Sequence, residues 1–217
     1  MRAKTMRFLP LLVTALALLG LFAVSEFAGR HGRPAETTRR LVHIAGAGTT
    51  ALFPLYLHLN EVVALGIVFT LFLTWTRVRG SLRSVHAVAR PTLGAILFPI
   101  GLVVAALITW SHPPTFSYAA LMLALPDPAA ALVGRRFAGV RWRIPGGEKS
   151  LLGSLAFFAV AFMIGIVFVL ATGNGSILAV AAVALVITGV EAALGYGLDN
   201  LFIPVIAGVL GEYWIRL

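Results

Sequence analysis

The chain repeats apolar runs about as long as a lipid bilayer is thick, with short arginine-rich loops between them. A helix needs about 20 mostly apolar residues to span the hydrocarbon core, and about 17 suffice. By that measure the sequence predicts eight spanning segments, at roughly 8–27, 41–59, 62–77, 91–110, 116–137, 151–171, 177–197 and 201–217. The third is short, and the last carries Glu212 and Arg216. Hydrophobic residues make up 59% of the 217 and charged residues 12%, whereas soluble domains are near half apolar and a quarter charged. A water-soluble fold cannot hide this much apolar surface. The expected class is therefore all-α: a polytopic transmembrane bundle of about eight helices, forming one membrane domain over 1–217.

The formal charge of +9 would suggest nucleic acid in a soluble protein. Here the arginines lie between apolar runs, which points to membrane orientation and anionic headgroups. Arg30, Arg33, Arg39 and Arg40 share one loop, Arg77, Arg79, Arg83 and Arg90 a second, and Arg135, Arg136, Arg141, Arg143 and Lys149 a third. The opposite loops, near 59–61, 111–115 and 172–176, hold no basic residue. Basic short loops stay in the cytoplasm, so the reading places these loops inside and the N-terminus outside, against the weaker pull of Arg2, Lys4 and Arg7. The start also has the pattern of a signal peptide, with small residues near Ala23–Ser25. Cleavage there would invert everything downstream, so an uncleaved first helix is expected.

Acidic residues number only eight. Glu26, Glu36, Glu61 and Glu148 fall at segment ends or in loops and read as solvated surface charges. Asp127, Glu191 and Asp199 differ, because a carboxylate at membrane depth is expensive and usually marks function. The plain alternative for each is a neutral, hydrogen-bonded core carboxyl. Charge alternation brings four distant stretches to the same membrane face: Arg39, Arg40 and His43; Asp127; Lys149 and Ser150; and Glu191 with Asp199.

Pro126-Asp127-Pro128 cannot lie inside a regular helix, since each proline lacks an N–H and disfavours helix in the residue before it. The fifth segment is expected to break there, with Asp127 as N-cap and Pro128 at the first position of a new helix ending at Gly134-Arg135-Arg136. Broken membrane helices are tolerated where they line a polar cavity. Asp127 there suits Mg²⁺ or a hydroxyl proton. The plain reading of the arginine pair is headgroup anchoring.

Gly146-Gly147-Glu148-Lys149-Ser150 is not a P-loop, because Arg143 and Glu148 stand where that pattern needs glycine. Lys149-Ser150 still offers a cation and a hydroxyl at a helix start, with Gly153 and Ser154 one turn on; small residues there also suit helix packing. Asp199-Asn200 is an oxygen-donor pair suited to a hard cation, or a capped turn. His43 reads as a packed, hydrogen-bonded histidine or a site residue. His31, His58, His86 and His112 form no ligand spacing, so no zinc site is expected. With no cysteine in the chain, disulfides, thiolate catalysis and Cys-ligated metals are excluded.

These stretches resemble the CTP-dependent polyprenol kinase family, which includes dolichol, phytol and farnesol kinases and the yeast-type diacylglycerol kinase. The matching residues are Arg39-Arg40-Leu-Val-His43, Asp127-Pro-Ala-Ala-Ala-Leu-Val-Gly134-Arg135-Arg136, Lys149-Ser150-Leu-Leu-Gly153-Ser154, and Glu191 with Asp199-Asn200-Leu-Phe-Ile-Pro204. They run in the family's order over 39–204; residues 1–30 form a first helix outside the match. Pro128 and Leu152 depart from the family's usual Ala or Gly and acidic residue. The short chain favours a prokaryotic, phytol kinase-like member in the cell's inner membrane.

The resemblance implies transfer of the γ-phosphate of CTP to the hydroxyl of a lipid alcohol at the cytoplasmic face, with Mg²⁺. It assigns Asp127 and Lys149 to catalysis. Arg39, Arg40, His43, Gly134, Arg135, Arg136, Ser150, Gly153 and Ser154 would bind the nucleotide. Asp127, Glu191, Asp199 and Asn200 would hold the metal. The lipid tail would lie between helices. The rivals are a cytidylyltransferase making a CDP-lipid and a small transporter with a carboxylate proton relay. The first lacks its long signature here, and the second usually has midplane sites and an inverted repeat.

Overall fold

The computed structural model describes residues 8–88 and 92–215. Arg2, Lys4, Arg7, Arg90 and Arg216 lie outside the described residues. Each of the eight expected segments contains a helix. The elements are α1 (Phe8–Arg30), α2 (Ala35–Thr50), α3 (Leu59–Val78), a short α4 (Arg83–His86), α5 (Gly94–Thr109), α6 (Pro113–Ala124) and α7 (Pro126–Arg136). After them come β1 (Arg141–Ile144), β2 (Gly147–Ser150), α8 (Leu151–Thr172), α9 (Ile177–Ala193) and α10 (Asp199–Leu210), with a π-helical turn over Gly211–Ile215.

The protein is a helical membrane bundle. α1, α3, the α6–α7 pair and α8 are each long and apolar enough to cross a bilayer, and α5 and α9 are shorter apolar helices. α6, α8, α9 and α10 meet in one core around Tyr118, Phe157, Val183, Ile187 and Ile203. A second core joins α3 and α5 to the start of α6 through Leu65, Phe69, Ala106 and Phe116. Packing between membrane helices relies on close backbone approach at small residues. At Gly101 a Cβ would lie 2.3 Å from the Asn200 carbonyl oxygen and 2.9 Å from Leu201 Cα, so α5 rests directly on α10.

The fifth segment breaks as expected, but two residues earlier. Leu125 precedes the new helix, Pro126 takes its first position, and Asp127 lies inside its first turn rather than capping it. Proline suits that first position because its missing N–H has no partner to lose there.

Two further expectations are corrected. The third basic loop holds a β-hairpin, with Ile144 paired to Gly147 across Pro145-Gly146. Gly146 has φ +79°, and proline followed by a positive-φ glycine is the chemistry of a tight type II turn. Glu61, read as a surface charge, is fully buried. It accepts the His58 N–H at 2.7 Å and so closes the start of α3. Glu26 is also engaged, accepting from the Ser84 N–H at 3.1 Å and thereby tying the end of α1 to α4.

Gly101→Leu should wedge α5 away from α10 and destabilise the bundle by about 1–3 kcal/mol, the usual cost of overpacking. Thermal unfolding of the detergent-solubilised protein measures it; an unchanged midpoint would show that the two helices are not held at this contact.

Candidate active site

All three basic loops contribute to one polar cleft. Its walls carry Glu36 and Arg40 from α2, Val88 from the second loop, Asp127 and Arg135 from α7, and Lys149 from β2. Ser150, Ser154 and Glu191 complete it. The cleft encloses about 1160 Å³, counting its open mouth.

The hairpin delivers Lys149. Strand alternation puts Trp142 and Lys149, which are cross-strand partners, on one face. Trp142 Nε1 donates to the Ala192 carbonyl at 3.0 Å, which docks that face on the end of α9. The Lys149 ammonium then pairs with the Glu191 carboxylate and lies 3.9 Å from Asp199 Oδ2. Ser154 Oγ donates to the second Glu191 oxygen at 3.4 Å. The Lys149 and Glu191 side chains are 11% and 3% exposed. Charges this deep persist only when paired and hydrogen-bonded.

Ser150 caps α8, its Oγ accepting the Gly153 N–H at 3.1 Å, while its hydroxyl proton stays available to an anion. Gly134 and Gly153 mark the crossing of α7 and α8. A Cβ on Gly134 would come within 2.5 Å of Ser150 Oγ, and one on Gly153 within 2.9 Å of the Ala130 carbonyl. Their bareness therefore serves helix contact, beside any ligand. Asp127 lines the cleft and makes no hydrogen bond or ion pair among the described residues.

Arg39 and Arg40 diverge. Both donate to Glu36 Oε1, at 3.2 and 2.9 Å. Arg40 lines the polar cleft, whereas Arg39 lines a second, apolar cavity together with His43 and Asn200. His43 Nε2 is bonded to the Leu123 carbonyl at 2.7 Å, and its ring meets Phe98 edge-on. Asn200 is 5% exposed and its amide lies against Gly94. Asn200 thus lines the apolar cavity, whereas Asp127 lines the polar cleft. Arg136 is exposed and lines neither cavity.

Over 178 residues the chain is 32% identical to phytol kinase from Synechocystis sp., covering 79% of this chain and 76% of that enzyme. This chain belongs to the phytol kinase family. No family model matches it, and no solved structure matches it.

Within this phytol kinase-family chain, three cleft residues, Glu36, Arg141 and Glu148, escaped the sequence reading as site residues. Arg141 Nη2 donates to the Gly134 carbonyl at 2.9 Å, and its Nη1 lies 3.7 Å from Glu148 Oε2. Glu36, read as a surface charge, holds the Arg39–Arg40 pair. The signal for Arg141 was the alternation of Arg141-Trp-Arg-Ile around Pro145-Gly146, which marks a hairpin. Arg40, Arg135, Arg141 and Lys149 offer donors to phosphate oxygens. Among the described residues no three His, Asp or Glu side chains form a metal cage. Mg²⁺ commonly takes only one or two carboxylates and completes its shell with water and substrate phosphates. Asp127, with Glu191 or Asp199 nearby, fits that mode.

Lys149→Met strands a buried carboxylate and should lower stability by about 3–5 kcal/mol. Adding Glu191→Gln should recover at least about 1 kcal/mol of that loss, because the two residues act as a pair. A double-mutant cycle of thermal unfolding in detergent measures the coupling, and strict additivity would show that the pair does not hold the hairpin.

Proposed function

We propose that this protein is a membrane lipid kinase. It transfers the γ-phosphate of a nucleoside triphosphate, CTP, to the hydroxyl of a prenyl alcohol such as phytol, at the cytoplasmic face. The observation that carries this reading is an uncommitted carboxylate, Asp127, in the same cation-lined cleft as Lys149, on a chain related to phytol kinase along most of its length.

Phosphoryl transfer asks the protein for little covalent chemistry; positioning and positive charge around the moving group do most of the work. Arg40, Arg135 and Arg141 hold the triphosphate, and Ser150 donates its hydroxyl proton to a phosphate oxygen. Lys149 neutralises charge at the γ-phosphate. The alcohol oxygen attacks the γ-phosphorus, the bond from that phosphorus to the β–γ bridging oxygen breaks, and CDP leaves. The alcohol proton passes to Asp127. Mg²⁺, held by Asp127 with Glu191 or Asp199, would supply further neutralisation of the phosphate oxygens when bound.

CTP as donor rests on the family resemblance, and the cytoplasmic placement rests on the arginine count of the loops. The same cleft argues against a transporter. Its polar groups come from segment ends and basic loops, whereas transporter sites gather near the bilayer midplane.

Purified protein in liposomes with Mg²⁺ and γ-labelled CTP or ATP should move label into phytol or another prenyl alcohol in the lipid phase. Asp127→Asn should reduce that transfer at least about 100-fold, the scale seen when a charge-stabilising group is lost. Full activity in Asp127→Asn would sink the assignment of this cleft. Pyrophosphate release with phosphorylated lipids, in place of label transfer, would turn the reading to a cytidylyltransferase.

A further inference from the structure

Beside the polar cleft lies the second cavity, of about 860 Å³ counting its mouth, between α1, α2, α3 and α5. Its wall is almost wholly apolar, built from residues such as Phe22, Phe69, Phe98 and Leu102. On α2 the lining positions run from Arg39 through His43 and Gly46 to Thr50. That is about 16 Å along the helix at about 1.5 Å per residue. Thr50 spends its hydroxyl proton on the Gly46 carbonyl at 2.8 Å, so the far end is dry. Arg39, His43 and Asn200 gather the polar groups at the near end.

We propose that this cavity holds the isoprenoid tail of the acceptor alcohol, with the hydroxyl at the Arg39–Asn200 end. That the occupant is the acceptor rests on the lipid-kinase reading; that it is a single-headed apolar chain rests on the cavity itself. Arg39 Nε is buried and lacks a hydrogen-bond partner. A buried donor left unpaired is costly, and the oxygen of an alcohol is a neutral acceptor for a hydrogen bond from Arg39. A charged or many-hydroxyl ligand would strand its polar groups against the apolar wall.

The polar end also borders the phosphoryl site at three points. Arg39 shares Glu36 with Arg40, which lines the cleft, and Asn200 follows Asp199, which lies 3.9 Å from Lys149. His43 donates to the Leu123 carbonyl, four residues before Asp127. A hydroxyl held here lies at the border between cavity and cleft while the tail stays out of water.

Gly46 sets the length of chain admitted. It stands midway along the wall, and a Cβ there would meet only the Phe98 ring, at 3.6 Å. A leucine side chain would fill the cavity at that level. Geraniol ends short of it, and phytol passes it.

Two measurements test this. In the first, a prenyl alcohol carrying a diazirine near its tail end is photolysed on the full-length protein in detergent, without nucleotide, and the labelled peptides are mapped. Label in α2, α3 and α5 that excess phytol displaces supports the cavity; label confined to the outer faces of α8 and α9 overturns it. In the second, Gly46→Leu should lower the phytol-to-geraniol ratio of kcat/KM at least about tenfold. Gly20→Leu, on the exposed side of α1 with nothing within 4 Å, should leave that ratio alone. An unchanged ratio in active Gly46→Leu protein overturns the assignment of length control to this cavity. The photolabelling needs no catalysis, so it reads the cavity even where the kinase reading fails. Phosphorylated phytol with label elsewhere would leave the kinase standing and remove the cavity.

Discussion

The Lys149–Glu191 pair is the contact on which the site depends. A lone ammonium or carboxylate at this depth is costly, so each charge needs the other before either can be buried. Meeting that need holds the hairpin on α9, where Trp142 also docks on the Ala192 carbonyl. It fixes α10 as well, through Asp199. Once β2 is held there, Ser150 caps α8, and the start of α8 lies against α7 at Gly134 and Gly153. One ion pair thus bears on the relative positions of the hairpin, α7, α8, α9 and α10.

The break between α6 and α7 obeys a different constraint. In a bilayer every backbone polar group needs an internal partner, so a helix can be interrupted only where few bonds are lost. The Leu125 N–H still reaches the Leu121 carbonyl, and the Ala129 N–H reaches the Leu125 carbonyl, each at 3.2 Å. Pro126 and Pro128 have no N–H to leave stranded. The interruption therefore costs little, and it leaves the Asp127 carboxylate without an ion-pair partner in a cleft rich in arginine. Such a carboxylate is able to take a metal or a proton.

Hydropathy and charge made the bundle legible, because length and polarity act segment by segment and need no knowledge of packing. The eight segments, the break near Asp127 and the convergence of Lys149, Ser150, Asp127 and Glu191 all followed from such local rules. The exact cap did not. Leu125 precedes the new helix and Pro126 starts it, a shift of two residues that backbone bonding decides. Glu61 was misread because a carboxylate at a segment end looks solvated until its helix is seen to start beneath another. Arg39 and Arg40 were read as one unit, since nothing in adjacent positions says that each faces a different cavity. Arg141 was read only as a basic loop residue because the loop that carries it folds as a hairpin.

That divergence of Arg39 and Arg40 follows from helix geometry. Neighbouring residues on an α-helix point about 100° apart, so a helix between two cavities presents consecutive side chains to each. α2 is that partition here. It is the least apolar of the long helices, carrying Glu36, Arg39, Arg40 and His43 within its first nine residues. Those charges bind one another at Glu36, which lowers the cost of holding them beside hydrocarbon. In the proposed arrangement the wet, cationic cleft takes the phosphoryl donor and the dry cavity takes the greasy alcohol. A single helix with paired arginines at its end separates the two along its length and joins them at its tip.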